Sequence, residues 1–193
     1  MSANKQQIEF WSGGGGDYWV DKQFEMDTML NPLGQKAIDS LDIQKGDSIL
    51  DVGCGTGTTT LLLSEKVGPE GKVTGLDISV PMLARTLELA IENNKTNISI
   101  INKDVQENEL DDQYDHLSNK CDFIVSCVGK DLDLKDVYLS KNGILKGLRP
   151  KTLIVDHTTA SYDISKLLYQ KTLAKKCYFF DAPISGGEIG AIN

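Results

Sequence analysis

Apolar positions along the chain change their spacing repeatedly, and the changes mark out alternating strands and helices. Compact apolar runs at 48–52, 72–77, 97–101, 121–128, 152–156 and 177–181 have strand length, as strands covered on both faces do. Between them, helical spacing predicts helices over 58–67, over 81–93 with Pro81 in the first turn, over 134–148 and over 161–176. Ahead of the first strand, Val20, Phe24, Met26, Met29 and Leu30 follow a helical pattern that Pro32 interrupts, and a second helical stretch covers 37–41. Polar residues 108–120 read as a loop or short helix, and the run Gly13 to Gly16 reads as flexible. This alternation predicts an α/β fold: a doubly wound, Rossmann-like, mostly parallel sheet in three α/β/α layers. Three segments follow: a helical leading segment over 1–46, the first half of the sheet over 47–119 and the second half over 120–193.

Composition narrows the classes of function. A chain of 193 residues with 40% hydrophobic and 25% charged residues is large enough for a sheet with helices on both faces. No stretch approaches the roughly 20 apolar residues of a membrane span, and the polar start does not resemble a signal peptide, so a cytoplasmic location without membrane contact is expected. A net charge of −8 argues against nucleic acid as a partner. Charge is uneven: residues 1–119 hold 9 Lys/Arg against 20 Asp/Glu, a net of −11, whereas 120–193 hold 11 against 8, a net of +3. Cys54, Cys121, Cys127 and Cys177 lack CxxC spacing and are expected to be buried free thiols. With His116 and His157 far apart in sequence, no metal site is expected.

The chemistry concentrates where the first strand gives way to a helix, at Asp51-Val52-Gly53-Cys54-Gly55-Thr56-Gly57. Glycines there let main-chain N–H groups approach a nucleoside-bearing ligand at the carboxyl end of the sheet. A dinucleotide fingerprint would be GxGxxG, but its third glycine is replaced by Thr58. Asp77, at the end of the second strand, is a carboxylate placed to accept hydrogen bonds from both ribose hydroxyls, a role that suits either cofactor.

The GxGxG spacing with Asp51 two residues ahead resembles motif I of class I S-adenosylmethionine-dependent methyltransferases. Over residues 8–110 the chain is similar to the ubiquinone/menaquinone-type small-molecule methyltransferases, including Trp11, Tyr18, Trp19 and Met29-Leu30-x-Pro32-Leu33. The resemblance implies S-adenosyl-L-methionine as cofactor and a small-molecule acceptor, with the leading segment closing over the cofactor. It places Asp51, Gly53, Cys54, Gly55 and Gly57 at the cofactor, Asp77 at its ribose, Ile78 and Met82 beside its adenine, and Asp104 and the Val105 N–H at the adenine edge. Ser126 would lie near the methionine moiety. Methyl transfer from a sulfonium rests on positioning and exclusion of water, so no catalytic side chain is named.

From Cys121 onward a second resemblance takes over. The runs Asp122 to Gly129, Ile154-Val155-Asp156-x-Thr158-Thr159 and Phe180-Asp181-Ala182-Pro183-Ile184-Ser185-Gly186-Gly187 resemble the later part of the NAD(P)-binding domain of 3-hydroxyisobutyrate and 6-phosphogluconate-type dehydrogenases. That likeness implies NAD or NADP as the alternative cofactor, Ser185 to Gly187 at a substrate site and Thr159 near the nicotinamide. It also puts the helical second domain, with its catalytic lysine, beyond Asn193. Both families share the strand order 3-2-1-4-5, so a junction near the fourth strand preserves the topology. The alternative expectation is therefore a non-catalytic hybrid whose second half derives from a dehydrogenase; the oligomeric state is left open.

Overall fold

The computed structural model describes residues 5–103 and 118–183. They fall into two compact units, Met1–Asp104 and Val105–Asn193.

In the first unit, helices α1 (Lys5–Trp11), α2 (Gly14–Asp21) and α3 (Gln23–Ser40) precede β1 (Ser48–Val52), α4 (Thr58–Val67), β2 (Lys72–Asp77), α5 (Val80–Glu92) and β3 (Ile98–Asn102). The strands are parallel in the order β3-β2-β1, with Asp51 beside Gly75 and Val52 beside Leu76. Ile49, Leu50 and Val52 are buried, as in a strand covered on both faces. Helix α5 starts at Ser79, whose side chain accepts from the Met82 N–H, and buries Met82, Leu83, Thr86 and Ala90 along one stripe.

The leading segment departs from the hydrophobic pattern at its glycine run and at Pro32. The glycine run is helical from Gly14, and Gly15 and Gly16 are buried. A Cβ on Gly16 would lie 2.1 Å from the Trp11 carbonyl oxygen and 2.6 Å from Ser79 Oγ, so the missing side chain is what lets α2 pack against the start of α5. Pro32 sits inside α3 without ending it; a proline removes one N–H bond and crowds one carbonyl, and the turns on either side hold the helix.

In the second unit, β4 (Phe123–Ser126), α6 (Asp131–Leu139), α7 (Ile144–Gly147), β5 (Leu153–Asp156), α8 (Tyr162–Ala174) and β6 (Tyr178–Asp181) form parallel strands in the order β4-β5-β6 with intervening helices. The single helix expected over 134–148 is two, parted at Ser140–Gly143, where a Cβ on Gly143 would come within 2.7 Å of the Tyr138 carbonyl oxygen. The core is Ile124, Leu134, Tyr138, Ile144, Ile154, Ile164 and Leu168, all at most 2% exposed, and Tyr138 meets Phe179 edge-to-face at 6.2 Å. The Ser161 cap of α8 is fixed from α6: its N–H donates to Asp131 Oδ1 at 2.8 Å and its hydroxyl to Asp131 Oδ2.

The chain is thus an α/β protein with Rossmann-like parallel strands, as the hydrophobic pattern predicts. Among the described residues no helix is long and apolar enough to cross a membrane.

Candidate functional site

The turn between β1 and α4 is shaped by three glycines with positive φ: Gly53 at 78°, Gly55 at 56° and Gly57 at 85°. L side chains rarely adopt such angles. The Gly53 and Cys54 N–H groups both donate to the Leu76 carbonyl, at 2.7 and 3.1 Å, which ties the turn to the end of β2. At Gly57 a Cβ would come within 2.4 Å of Thr86 Cγ2, while Thr86 Oγ1 donates to the Gly55 carbonyl at 2.8 Å. Thr86 is therefore a second support for the turn, presented by α5.

Asp77 stands at the centre. Its Oδ2 accepts from the Gly55 N–H and its Oδ1 from the Ser79 N–H, both at 2.8 Å. Each oxygen keeps a lone pair for a further donor. Burial pushes the Asp77 carboxyl above its ordinary range, and the N–H groups of Ser79, Gly55 and Ile78 pull it back. Behind the turn, Asp51 is buried and accepts from Thr60 Oγ1 at 2.7 Å. Burial pushes Asp51 up to about 6; the Thr60 bond opposes the rise and the Asp77 charge adds to it. The Cys54 thiol is raised first by burial and then by Asp51 and Asp77, which makes it a poor nucleophile.

The leading helices are fastened to the same turn. Ser12 Oγ donates to the Ile78 carbonyl at 3.0 Å, and Ser79 Oγ to the Trp11 carbonyl at 2.6 Å. Gln23 Nε2 reaches the Thr56 carbonyl at 3.4 Å, and Thr58 Oγ1 donates to Asp27 Oδ1 at 2.8 Å.

Of the residues singled out from sequence, Asp51, Gly53, Cys54, Gly55, Gly57, Asp77, Ile78 and Met82 gather around this one turn. Met82 is buried, with its Cε 3.0 Å from where a Cβ on Gly55 would stand, so it floors the turn; Ile78 is half-buried. Asp104, Val105 and Ser185 to Gly187 lie outside the described residues. Ser126 belongs to the second unit and is fully buried. Its hydroxyl donates to Asp156 Oδ1 at 2.6 Å and meets the Tyr138 hydroxyl at 2.7 Å. Thr158 Oγ1 donates to the same Asp156 oxygen at 2.9 Å and accepts from the Val128 N–H, while Asp156 Oδ2 is buried without a hydrogen-bond partner. Burial, with Asp181 adding, holds the Asp156 carboxyl above its ordinary range. Thr159 is exposed. Three of the four free cysteines are buried as expected; Cys127 is exposed. No group of three metal-binding side chains occurs among the described residues.

Ser12, Gln23, Asp27, Ser79 and Thr86 are site residues that sequence reasoning missed. Ser79, two residues ahead of Pro81 and four after Gly75, carried a helix-cap signal; the other four are brought in only by tertiary packing.

Residues 75–193, well over half of the chain, match the family model described as the NAD-binding domain of 6-phosphogluconate dehydrogenase. The chain belongs to that family. Residues 28–109 match a second model, that of protein-L-isoaspartate(D-aspartate) O-methyltransferase. Relatives divide in the same way. An uncharacterized oxidoreductase of Shewanella frigidimarina is 42% identical over 72 residues, 37% of this chain and 25% of its own length. The demethylmenaquinone methyltransferase of Shouchella clausii is 47% identical over 72 residues, 37% of this chain and 31% of its own. The chain thus spans between a quarter and a third of these curated relatives. Among solved structures, the 3-hydroxyisobutyrate dehydrogenase of Mycobacterium tuberculosis shares the fold with a TM-score of 0.52 at 17% identity, over 73% of this chain and 41% of that one. This member of the dehydrogenase NAD-binding family therefore also carries methyltransferase-like sequence, and the two matches overlap on 75–109.

Proposed function

We propose that the glycine turn of the first unit holds S-adenosyl-L-methionine and that the chain methylates a small-molecule acceptor in the cytoplasm. The observation that carries this reading is Asp77, pinned by the Gly55 and Ser79 N–H groups with a lone pair left on each oxygen for the two ribose hydroxyls. The glycine turn fits a nucleoside set against the main chain, and Thr86, Met82 and Ser79 hold its shape beforehand. The cofactor would supply the methyl group on its sulfonium sulfur. The chain's own part is to orient the acceptor and exclude water, and the leading helices, bonded to Ile78 and Thr56, are the cover.

A second reading, a non-catalytic hybrid retaining a dehydrogenase-type NAD(P)-binding half, is favoured by the family match over 75–193. Against nicotinamide cofactors at the glycine turn stands Thr58, whose hydroxyl is held by Asp27 where the dinucleotide fingerprint wants a glycine. Melting curves of the intact chain with S-adenosylhomocysteine, NAD and NADP separate the readings, because a ligand that binds only the folded state raises the midpoint. The methyltransferase reading expects a rise with S-adenosylhomocysteine alone; a rise with NAD or NADP alone overturns it.

A further inference from the structure

Residues of α2, α3, α4 and α5, with Thr58 among them, line an open groove of about 690 Å³, within the size range of small-molecule pockets. Its walls are apolar: Leu61 and Leu62 from α4, Leu89 from α5 and Phe24 from α3, with Phe24 80% exposed at the mouth. Its charges are unbalanced. Asp21, Asp27, Glu65 and Glu88 line it against one cation, Arg85. Arg85 is already committed: its Nε donates to Gln23 Oε1 at 2.9 Å, and Nη1 lies 3.0 Å from Glu88 and 3.6 Å from Glu92. Glu65 pairs with Lys95 at 3.0 Å. Asp27 is different. It is half-buried, held by the Thr58 hydroxyl with the Gln23 side chain assisting, and takes part in none of the ion pairs among the described residues, although the Arg85 charge acts on it.

We propose that this groove binds a small organic ammonium ion: a primary or secondary amine on an aliphatic or aromatic body, with the nitrogen at Asp27 and the body along Leu61, Leu62 and Leu89. A half-buried carboxylate lining a largely apolar cleft gains most from a cation that brings its own hydrophobic surface. An anionic ligand would meet Asp21, Asp27 and Glu88 with no uncommitted cation to receive it. Burial raises the Asp27 carboxyl, while the Thr58 and Gln23 side chains and the Arg85 charge pull it back. The groove shares Asp27 and Thr58 with the supports of the glycine turn, and amine binding is read separately from binding of S-adenosylhomocysteine.

The test uses the full chain and three probes of matched size: 2-phenylethylamine, 2-phenylethanol and 3-phenylpropanoate, titrated calorimetrically at low and high salt. The amine is expected to bind with a Kd below about 1 mM, at least about ten-fold tighter than the alcohol, with the carboxylate not binding. Asp27→Asn, which keeps the acceptor for Thr58, is expected to reduce amine affinity to that of the alcohol. Leu62→Arg, at a half-exposed wall position, places a competing cation in the groove and is expected to abolish amine binding even if Asp27→Asn does not fold. Equal affinity for amine and alcohol, or unchanged amine binding in either folded variant, overturns the assignment.

Discussion

Asp77 and Asp51 lie one strand apart and do different work. Asp77 keeps both oxygens available, and its replacement by alanine removes two charge-assisted acceptors. Each such bond contributes on the order of 1.5–3 kcal/mol, so Asp77→Ala should weaken S-adenosylhomocysteine binding by at least about ten-fold, read by calorimetry. Asp51 faces the core and titrates late. Its folded-state value of about 6 lies above the ordinary 3.8, so its contribution to stability is complete below about pH 4 and is lost as the pH rises through 6, amounting to at most about 3 kcal/mol. Urea unfolding at pH 4.5 and 7.5 checks this: Asp51→Asn should remove that part of the pH dependence, and an unchanged pH profile in the variant would refute the assignment. In the second unit, Ser126→Ala would leave the Tyr138 hydroxyl without this partner and strip Asp156 of one donor, a loss of roughly 1–3 kcal/mol. Tyr138→Phe, which leaves the Ser126 to Asp156 bond intact, should cost less, about 1 kcal/mol. Equal losses in melts of the two variants would argue against the network.

Among the elements, α2 carries a sharp test of packing. Gly14 and Gly16 both lie in this helix, yet a Cβ on Gly14 meets nothing within 4 Å while one on Gly16 strikes the Trp11 carbonyl and Ser79. Gly14→Ala should raise the midpoint slightly, by the helix preference of alanine, about 0.5–1 kcal/mol. Gly16→Ala should lower it and alter the near-ultraviolet signal of Trp11. The same element shows where sequence reading stopped. Four glycines in a row imply flexibility on intrinsic preference alone, and only the closeness of Phe10 and Trp11 in α1 and of Ser79 makes the smallness of Gly15 and Gly16 a packing feature. The strands fared differently because burial on both faces leaves continuous apolar runs: β1, β2 and β4 fall within a residue or two of the pattern. The division of 134–148 into α6 and α7 was less legible, since Ser140 to Gly143 break a helix without breaking its apolar spacing.

At the scale of the whole molecule, the family match over 75–193 and the methyltransferase match over 28–109 follow the two resemblances readable in the sequence. The glycine turn was legible because a positive φ demands glycine, and Asp77 because an acidic residue closing an apolar strand beside that turn is a local signature. The supports from Ser12, Gln23, Asp27 and Thr86 were not, because their partners lie 31 to 66 residues away. Calorimetric titration of the intact chain with S-adenosylhomocysteine, alongside NAD and NADP, tests the cofactor assignment directly. One site of micromolar affinity for S-adenosylhomocysteine, lost in Asp77→Ala and absent for the nicotinamide cofactors, is the expected result; no binding of S-adenosylhomocysteine, or equal binding by the variant, would contradict it.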